Sequence, residues 1–273
     1  MKIITKPELQ NLAIKYGVSY HETLLLLAHI LKTEYSRLFF EKSYEISEDD
    51  YKNLHLFLSR RNEGEPISKI LEKKEFYGFS FKTTKDTLDP RPETELLIDL
   101  FKKYHLYTSQ NLQILDLGAG TGCIGITLLK LFSNTVCCFA DISEKALSIT
   151  RENATMHQVL DRSEFVLSDW FKNIHRNFDV IISNPPYVAT NYELDRATLY
   201  DPKIALFAGS DGMDAYRSIL PSASKYLKPA GLLLLEIGYD QAEKIKQISS
   251  DLKLLRMEKD LAGIRRACIF RLF

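Results

Sequence analysis

The sequence predicts an α/β protein. Its core is a doubly wound, mainly parallel sheet with an antiparallel edge strand, and a small N-terminal helical bundle precedes it through a β-hairpin linker. Three features predict this. From Asp89 onward, short apolar runs alternate with amphipathic helical repeats. One of those runs, NLQILDL, passes straight into the glycine-rich turn GAGTG and then a helix. The last two runs, LKLLRMEKD and RRACIFRLF, follow each other with no helix between them, which places an antiparallel member at the sheet edge.

Up to about Ile70 the pattern is helical. In YHETLLLLAHILK, Leu24, Leu27, Ala28 and Leu31 fall at helical spacing. ISEDDYKNLHLFLSRR opens on Ser47 as a cap, with three acids in its first turn. NEGEP then breaks the helix. KKEFYGFSFKTTK alternates aromatic and polar residues around Gly78, as a hairpin does. Past Asp89, the strands are NLQILDL, TVCCFADIS, SEFVLSDW, FDVIISNPPY, GLLLLEIG and the closing pair. The helices are CIGITLLKLF, EKALSITRENATMH, MDAYRSILPSASKYL and YDQAEKIKQISSDL. The expected division is 1–74 for the helical domain, 75–88 for the hairpin linker and 89–273 for the α/β domain.

Bulk composition narrows the function. Lysine plus arginine and aspartate plus glutamate number 36 each, so the net charge is zero, which does not suit holding long nucleic acid by phosphate neutralisation. No apolar run reaches the roughly 18 residues a membrane span needs, and MKIITKPELQ lacks the apolar core of a secretory signal. The four cysteines form no C-x-x-C pair and the six histidines no metal-spaced pair. The expectation is a cytoplasmic, monomeric, metal-free protein without a direct nucleic-acid or membrane partner.

In open α/β sheets, ligands bind beyond the carboxyl ends of the strands. The first such loop carries Gly118, Ala119, Gly120, Thr121 and Gly122, whose glycines let backbone N–H groups approach a ligand. Gly120, Gly122 and Gly125 formally satisfy the dinucleotide pattern, in which a helix N-terminus receives a pyrophosphate. Asp116 favours another ligand, S-adenosylmethionine, because a carboxylate there repels a pyrophosphate but suits a sulfonium or an ammonium group. Asp141 ends the next strand about 20 residues further on, where a ribose-binding acid belongs; by itself it is also a helix-capping acid before SEKAL. Asp169 and Trp170 follow the third strand, as an acceptor for an adenine amino group and an aromatic wall, or else as a solvated acid beside a core tryptophan.

The fourth strand ends in Asn184-Pro185-Pro186-Tyr187. Two prolines remove two donors and leave carbonyls facing outward. With the Asn184 side-chain oxygen added, the loop offers acceptors with few competing donors. That suits a planar –NH2 group, held by the Asn184 oxygen and the Pro185 carbonyl and covered by Tyr187. Holding both hydrogens aims a poorly nucleophilic nitrogen at a methyl group and favours the charge that develops on it.

DLGAGTG, FADIS and SNPPY, in this order, resemble the class I S-adenosylmethionine-dependent methyltransferases, which have a Rossmann-like fold and here those that act on planar amino nitrogens. NPPY is shared among several substrate classes. The flanks narrow the choice: GEPISKILEKKEFYGFSFKTTKDTLDPRPETELLID, ALFAGSDGMDAYRSIL, LLLEIGYDQ and DLAGIRRACI are similar to segments of the release-factor glutamine methyltransferase family (PrmC/HemK). The resemblance covers nearly the whole chain. It implies methylation of the glutamine N5 in the Gly-Gly-Gln motif of class 1 peptide chain release factors, with domain 1–74 docking the substrate. It also implies that Gly118 to Gly122, Asp141, Asp169, Trp170 and Asn184 contact the cofactor, and that Asn184 to Tyr187 hold the glutamine amide. PRPETE would close over the methionyl end, with Arg91 and Thr94 as polar candidates; a capped helix start explains the same residues. Glu236 reads either as a further acid of the cofactor site or as a strand-end charge facing water. Asp89 departs from the family pattern, which has an apolar residue before PRPETE. Competing functions are an adenine-N6 methyltransferase on DNA or RNA, which needs a basic, aromatic target-recognition region, and a non-catalytic S-adenosylmethionine-binding adaptor.

Overall fold

The computed structural model describes residues 1–105, 111–248 and 251–273. The chain divides into two compact units, Met1–Lys73 with Leu194–Tyr200, and Lys74–Glu193 with Asp201–Phe273.

The first unit runs β1 (Lys2–Thr5), α1 (Lys6–Tyr16), α2 (Tyr20–Ile30), α3 (Tyr35–Phe40), β2 (Ser43–Ile46), α4 (Glu48–Asn62) and α5 (Ile67–Leu71). Thr5 with Glu8 and Ser19 with Glu22 form capping boxes that start α1 and α2. Ser47 caps α4 ahead of Glu48, Asp49 and Asp50, as the sequence predicts. Leu9, Leu24, Leu27, Leu54 and Leu58 are fully buried between these helices. The unit also contains what a helical reading does not anticipate: β1 and β2 pair antiparallel. Each strand has only four residues, too few for a period-of-two signal to stand out from its helical neighbours.

The second unit opens with the hairpin β3 (Lys73–Phe76) and β4 (Phe79–Lys82). Tyr77 and Gly78 both have positive φ, 51° and 75°, as a two-residue turn matched to strand twist requires. Next come α6 (Glu95–His105), β5 (Leu112–Leu117), α7 (Cys123–Leu131), β6 (Thr135–Asp141), α8 (Glu144–Met156), β7 (Ser163–Leu167) and β8 (Phe178–Ser183). The chain ends through α9 (Asp214–Ala223), β9 (Leu227–Glu236), α10 (Ala242–Lys246), β10 (Lys253–Lys259) and β11 (Arg265–Arg271). Helix α10 is shorter than the predicted YDQAEKIKQISSDL, and Ser249 and Ser250 of that stretch lie outside the described residues.

The seven strands stand in the order β10-β11-β9-β8-β5-β6-β7. β5 pairs parallel with β6 and β8, β6 with β7, and β8 with β9. β11 runs antiparallel to both β9 and β10, so the antiparallel member lies one strand inside the edge. Both faces are covered. Ile114, Phe139, Val180 and Leu232 pack on one side, and Leu115, Ile181, Tyr216 and Leu233 on the other. This is why the central strands read as continuous apolar runs. Strand order reverses between β5 and β8, and the crevice at the carboxyl ends of those two strands is where a doubly wound sheet binds its ligand.

Candidate active site

A cavity opens at that reversal, with a volume of ≈ 330 Å³, the scale of a small-molecule site. Its walls come from the loops after β5, β6, β7 and β8 and from the Asp86–Thr94 region.

The glycine loop after β5 is shaped from behind by side chains of other elements. Asp116, at 1% exposure, lies beneath it and accepts from Gly125 N–H at 2.9 Å. It does not line the cavity, and through Gly125 it braces the loop and the start of α7. Asp141 accepts from Gly120 N–H and from Ser143 N–H, each at 2.9 Å, which ties the loop to the start of α8. Burial raises its carboxyl above the ordinary value, and those backbone donors oppose the shift. From α8, Thr150 donates to the Gly120 carbonyl (2.9 Å) and Asn153 to the Thr121 carbonyl (2.9 Å). Gly120 itself has φ +57°, and a Cβ built there would meet open space. The bare backbone faces the cavity, as close approach by a ligand demands.

After β7, Asp169 pairs with Lys172 at 2.6 Å. Trp170 takes a left-handed φ of 49°, fixed by Ser168 Oγ donating to its carbonyl at 2.7 Å. Its half-buried ring both lines the cavity and packs on the apolar layer, so the two sequence readings of this residue are not exclusive.

The end of β8 supplies a connected polar chain. Asn184 Nδ2 donates to Thr94 Oγ1 at 3.0 Å, and Thr94 Oγ1 donates to Glu236 Oε2 at 2.6 Å. The Tyr187 hydroxyl donates to the other carboxyl oxygen, Glu236 Oε1, at 3.2 Å. Glu236 is 1% exposed, so it does not face water; burial lifts its carboxyl to about 7, against the pull of the Thr94 and Tyr187 hydrogen bonds and of Arg266. Asn184 Oδ1 is buried and has no hydrogen-bond partner among the described residues. Asn184 lines the cavity, and a buried acceptor of this kind costs free energy unless a ligand donor meets it.

Gly118, Ala119, Gly120, Thr121, Asp141, Asp169, Trp170, Asn184 and Pro186 all line the one cavity. Gly122, Pro185 and Tyr187 stand outside its lining. A Cβ on Gly122 would come within 2.5 Å of Thr150 Cγ2, so that glycine serves packing. Arg91 pairs with Asp201 at 2.6 Å, and Asp201 also accepts from Asp89 N–H at 3.1 Å. Asp89 in turn accepts from Thr83 Oγ1 at 2.7 Å, so its departure from the family pattern has a built-in partner. Sequence reading missed Thr150, Asn153 and Gln241. Gln241 Nε2 donates to the carbonyls of Tyr187 (2.9 Å) and Gly212 (3.0 Å), while its Oε1 accepts from Gly238 N–H (2.8 Å). No local pattern marks such residues, because their partners are far away in the chain.

The open glycine backbone, the acids and ring that line the same cavity, and the orphaned amide oxygen fit S-adenosylmethionine together with an amino-bearing acceptor. Fold and site define a class I methyltransferase. Residues 84–199 match the family described as Methyltransferase small domain, and residues 13–71 match the PrmC N-terminal domain. A solved methyltransferase from Pyrococcus furiosus shares the fold, with a TM-score of 0.54 and 18% identity, over 72% of this chain and 91% of that one. A release factor glutamine methyltransferase of Agrobacterium fabrum is 35% identical over 258 residues, covering 90% of this chain and 88% of the relative. The chain belongs to the release factor glutamine methyltransferase family. A bifunctional methyltransferase of Rickettsia typhi is 38% identical over 248 residues, 83% of this chain and 48% of the relative, so the chain spans about half the length of such relatives.

Proposed function

We propose that the protein methylates the N5 of the glutamine in the Gly-Gly-Gln motif of class 1 peptide chain release factors, using S-adenosylmethionine. The observation that carries this reading is the Asn184 carboxamide, with its nitrogen held by Thr94 and its oxygen buried and unpartnered at the cavity wall. Bound S-adenosylmethionine supplies a methyl group made electrophilic by the adjacent sulfonium. The glycine loop and Asp141 hold it from one side, Asp169 and Trp170 from the other. Asn184 Oδ1 accepts one hydrogen of the substrate –NH2 and the Pro185 carbonyl accepts the second, which orients the nitrogen and favours its developing positive charge. The alkylated nitrogen is acidic and gives its extra proton to water, so the chain needs no strong general base. The helical unit, proposed as a docking domain over 1–74, receives the release factor.

The test is transfer of labelled methyl groups to a purified class 1 release factor and to its Gln→Ala variant in Gly-Gly-Gln, with DNA and total RNA as parallel acceptors. Label on the wild-type factor alone is expected, with Asn184→Ala slowing transfer by about 100-fold or more. Label confined to nucleic acid would refute the glutamine reading.

A further inference from the structure

The chain Asn184–Thr94–Glu236–Tyr187 has a direction. A hydroxyl has one proton, and Thr94 gives its own to Glu236 at 2.6 Å. Toward Asn184 the same oxygen is therefore an acceptor only, and the amide must turn its Nδ2 that way. Its Oδ1 is thereby left facing away from Thr94, unpartnered. An ionised carboxylate accepts and never donates. If Glu236 carried a proton, or were an amide, it would be able to donate to Thr94, whose hydroxyl would then point at Asn184 and favour the flipped carboxamide. The cavity would in that case meet an amino group, which repels the hydrogens of a substrate –NH2.

We infer that Glu236 and Thr94 are positioning residues, which set the polarity of this chain so that Asn184 presents its oxygen to the acceptor amide. The inference rests on the glutamine reading for its substrate but not for its geometry. Glu236 faces the hydroxyls of Thr94 and Tyr187, with Arg266 favouring its charge and Glu93 opposing it; the Tyr216 hydroxyl donates to its backbone carbonyl at 3.0 Å. Because burial brings this carboxyl to about 7, its ionisation falls inside an ordinary assay range.

The test compares wild type with Glu236→Gln, Thr94→Val and Thr94→Ser. Glu236→Gln and Thr94→Val are expected to lower kcat/KM for the release factor by about 10- to 100-fold, the worth of hydrogen bonds to a charged group. Binding of S-adenosylmethionine by Glu236→Gln, measured by calorimetry, stays within about threefold, below the roughly tenfold or more that a hydrogen bond to a charged group is worth. Thr94→Ser, which keeps the hydroxyl, restores activity. Wild-type kcat rises as pH passes through about 7, and that rise is absent in Glu236→Gln. Independently of turnover, the Asn184 side-chain NH2 signals, assigned by their loss in Asn184→Asp, shift and lose exchange protection in both Thr94→Val and Glu236→Gln. Wild-type kcat/KM in Glu236→Gln, or unchanged Asn184 amide signals in both variants, would overturn the inference. If wild type transfers no methyl to the factor, the glutamine reading fails and the amide signals still decide the positioning. Should Glu236→Gln not fold, the Thr94 pair alone decides.

Discussion

Asp116 and Glu236 are each 1% exposed, and burial is the first cause that lifts both carboxyls to about 7. Unfolded, they return to ordinary values of 3.8 and 4.5. Between those limits the native state keeps protons that the unfolded chain has lost, so their stabilising effect is full at low pH and falls as pH rises through about 7. Asp116→Asn removes one of the two groups. Its stability by denaturant titration is expected to fall less than that of wild type between pH 4 and pH 8, by up to a few kcal/mol. Parallel curves for the two proteins would contradict this. Gln241→Ala acts at the same scale. It deprives three backbone groups of their partner and is expected to cost roughly 2–4 kcal/mol by equilibrium denaturation. Gln241 is illegible in the sequence because its carbonyl partners on Tyr187 and Gly212 lie far away in the chain. For Asp116 the alternation of a strand does not show that Gly125 N–H waits on its buried side. Asn184, by contrast, stands out in the sequence, since two prolines after an apolar strand leave few structural uses for an amide, and the structure brings it to the cavity.

The glycine loop after β5 and the start of α7 together carry two kinds of glycine. At Gly125 an added Cβ would come within 2.4 Å of Phe139 and 2.7 Å of Cys137 Sγ, so Gly125→Ala overpacks a closed core, at roughly 1–3 kcal/mol or more. At Gly120 the methyl would project into open space at the cavity wall. Gly120→Ala therefore costs only about 1–2 kcal/mol, for its left-handed backbone, but weakens S-adenosylmethionine binding roughly tenfold or more by occupying that space. Thermal melts and calorimetry on the two variants separate the effects, and equal loss of binding in both would contradict the assignment. Elements with long or punctuated signals, such as β5, β8 and the capped α4, were readable. The four-residue β1 and β2 were not, and α10 ends at Lys246, before the helical periodicity of the sequence does.

Over the whole molecule, all four cysteines are buried and free. Burial pushes the thiols of Cys123, Cys138 and Cys268 up to about 12, and raises that of Cys137 well above its ordinary value. The folded protein is expected to resist a thiol reagent at pH 8 and to react at all four positions in denaturant. Cys123, which lines the cavity, is expected to react first, and S-adenosylmethionine to slow it. Prompt reaction of several thiols in the native protein would contradict this. The doubly wound architecture was readable because it follows from the alternation of elements, whereas the inset position of β11 depends on which neighbours it finds in three dimensions. The polar chain at the site spans the sequence even more widely. Thr94 lies 90 residues before Asn184 and 142 before Glu236. At ~5–20 residues per second, a ribosome delivers Glu236 about 7–30 s after Thr94. A nascent chain thus carries its glycine loop and its asparagine before Glu236 arrives to set the direction of the amide.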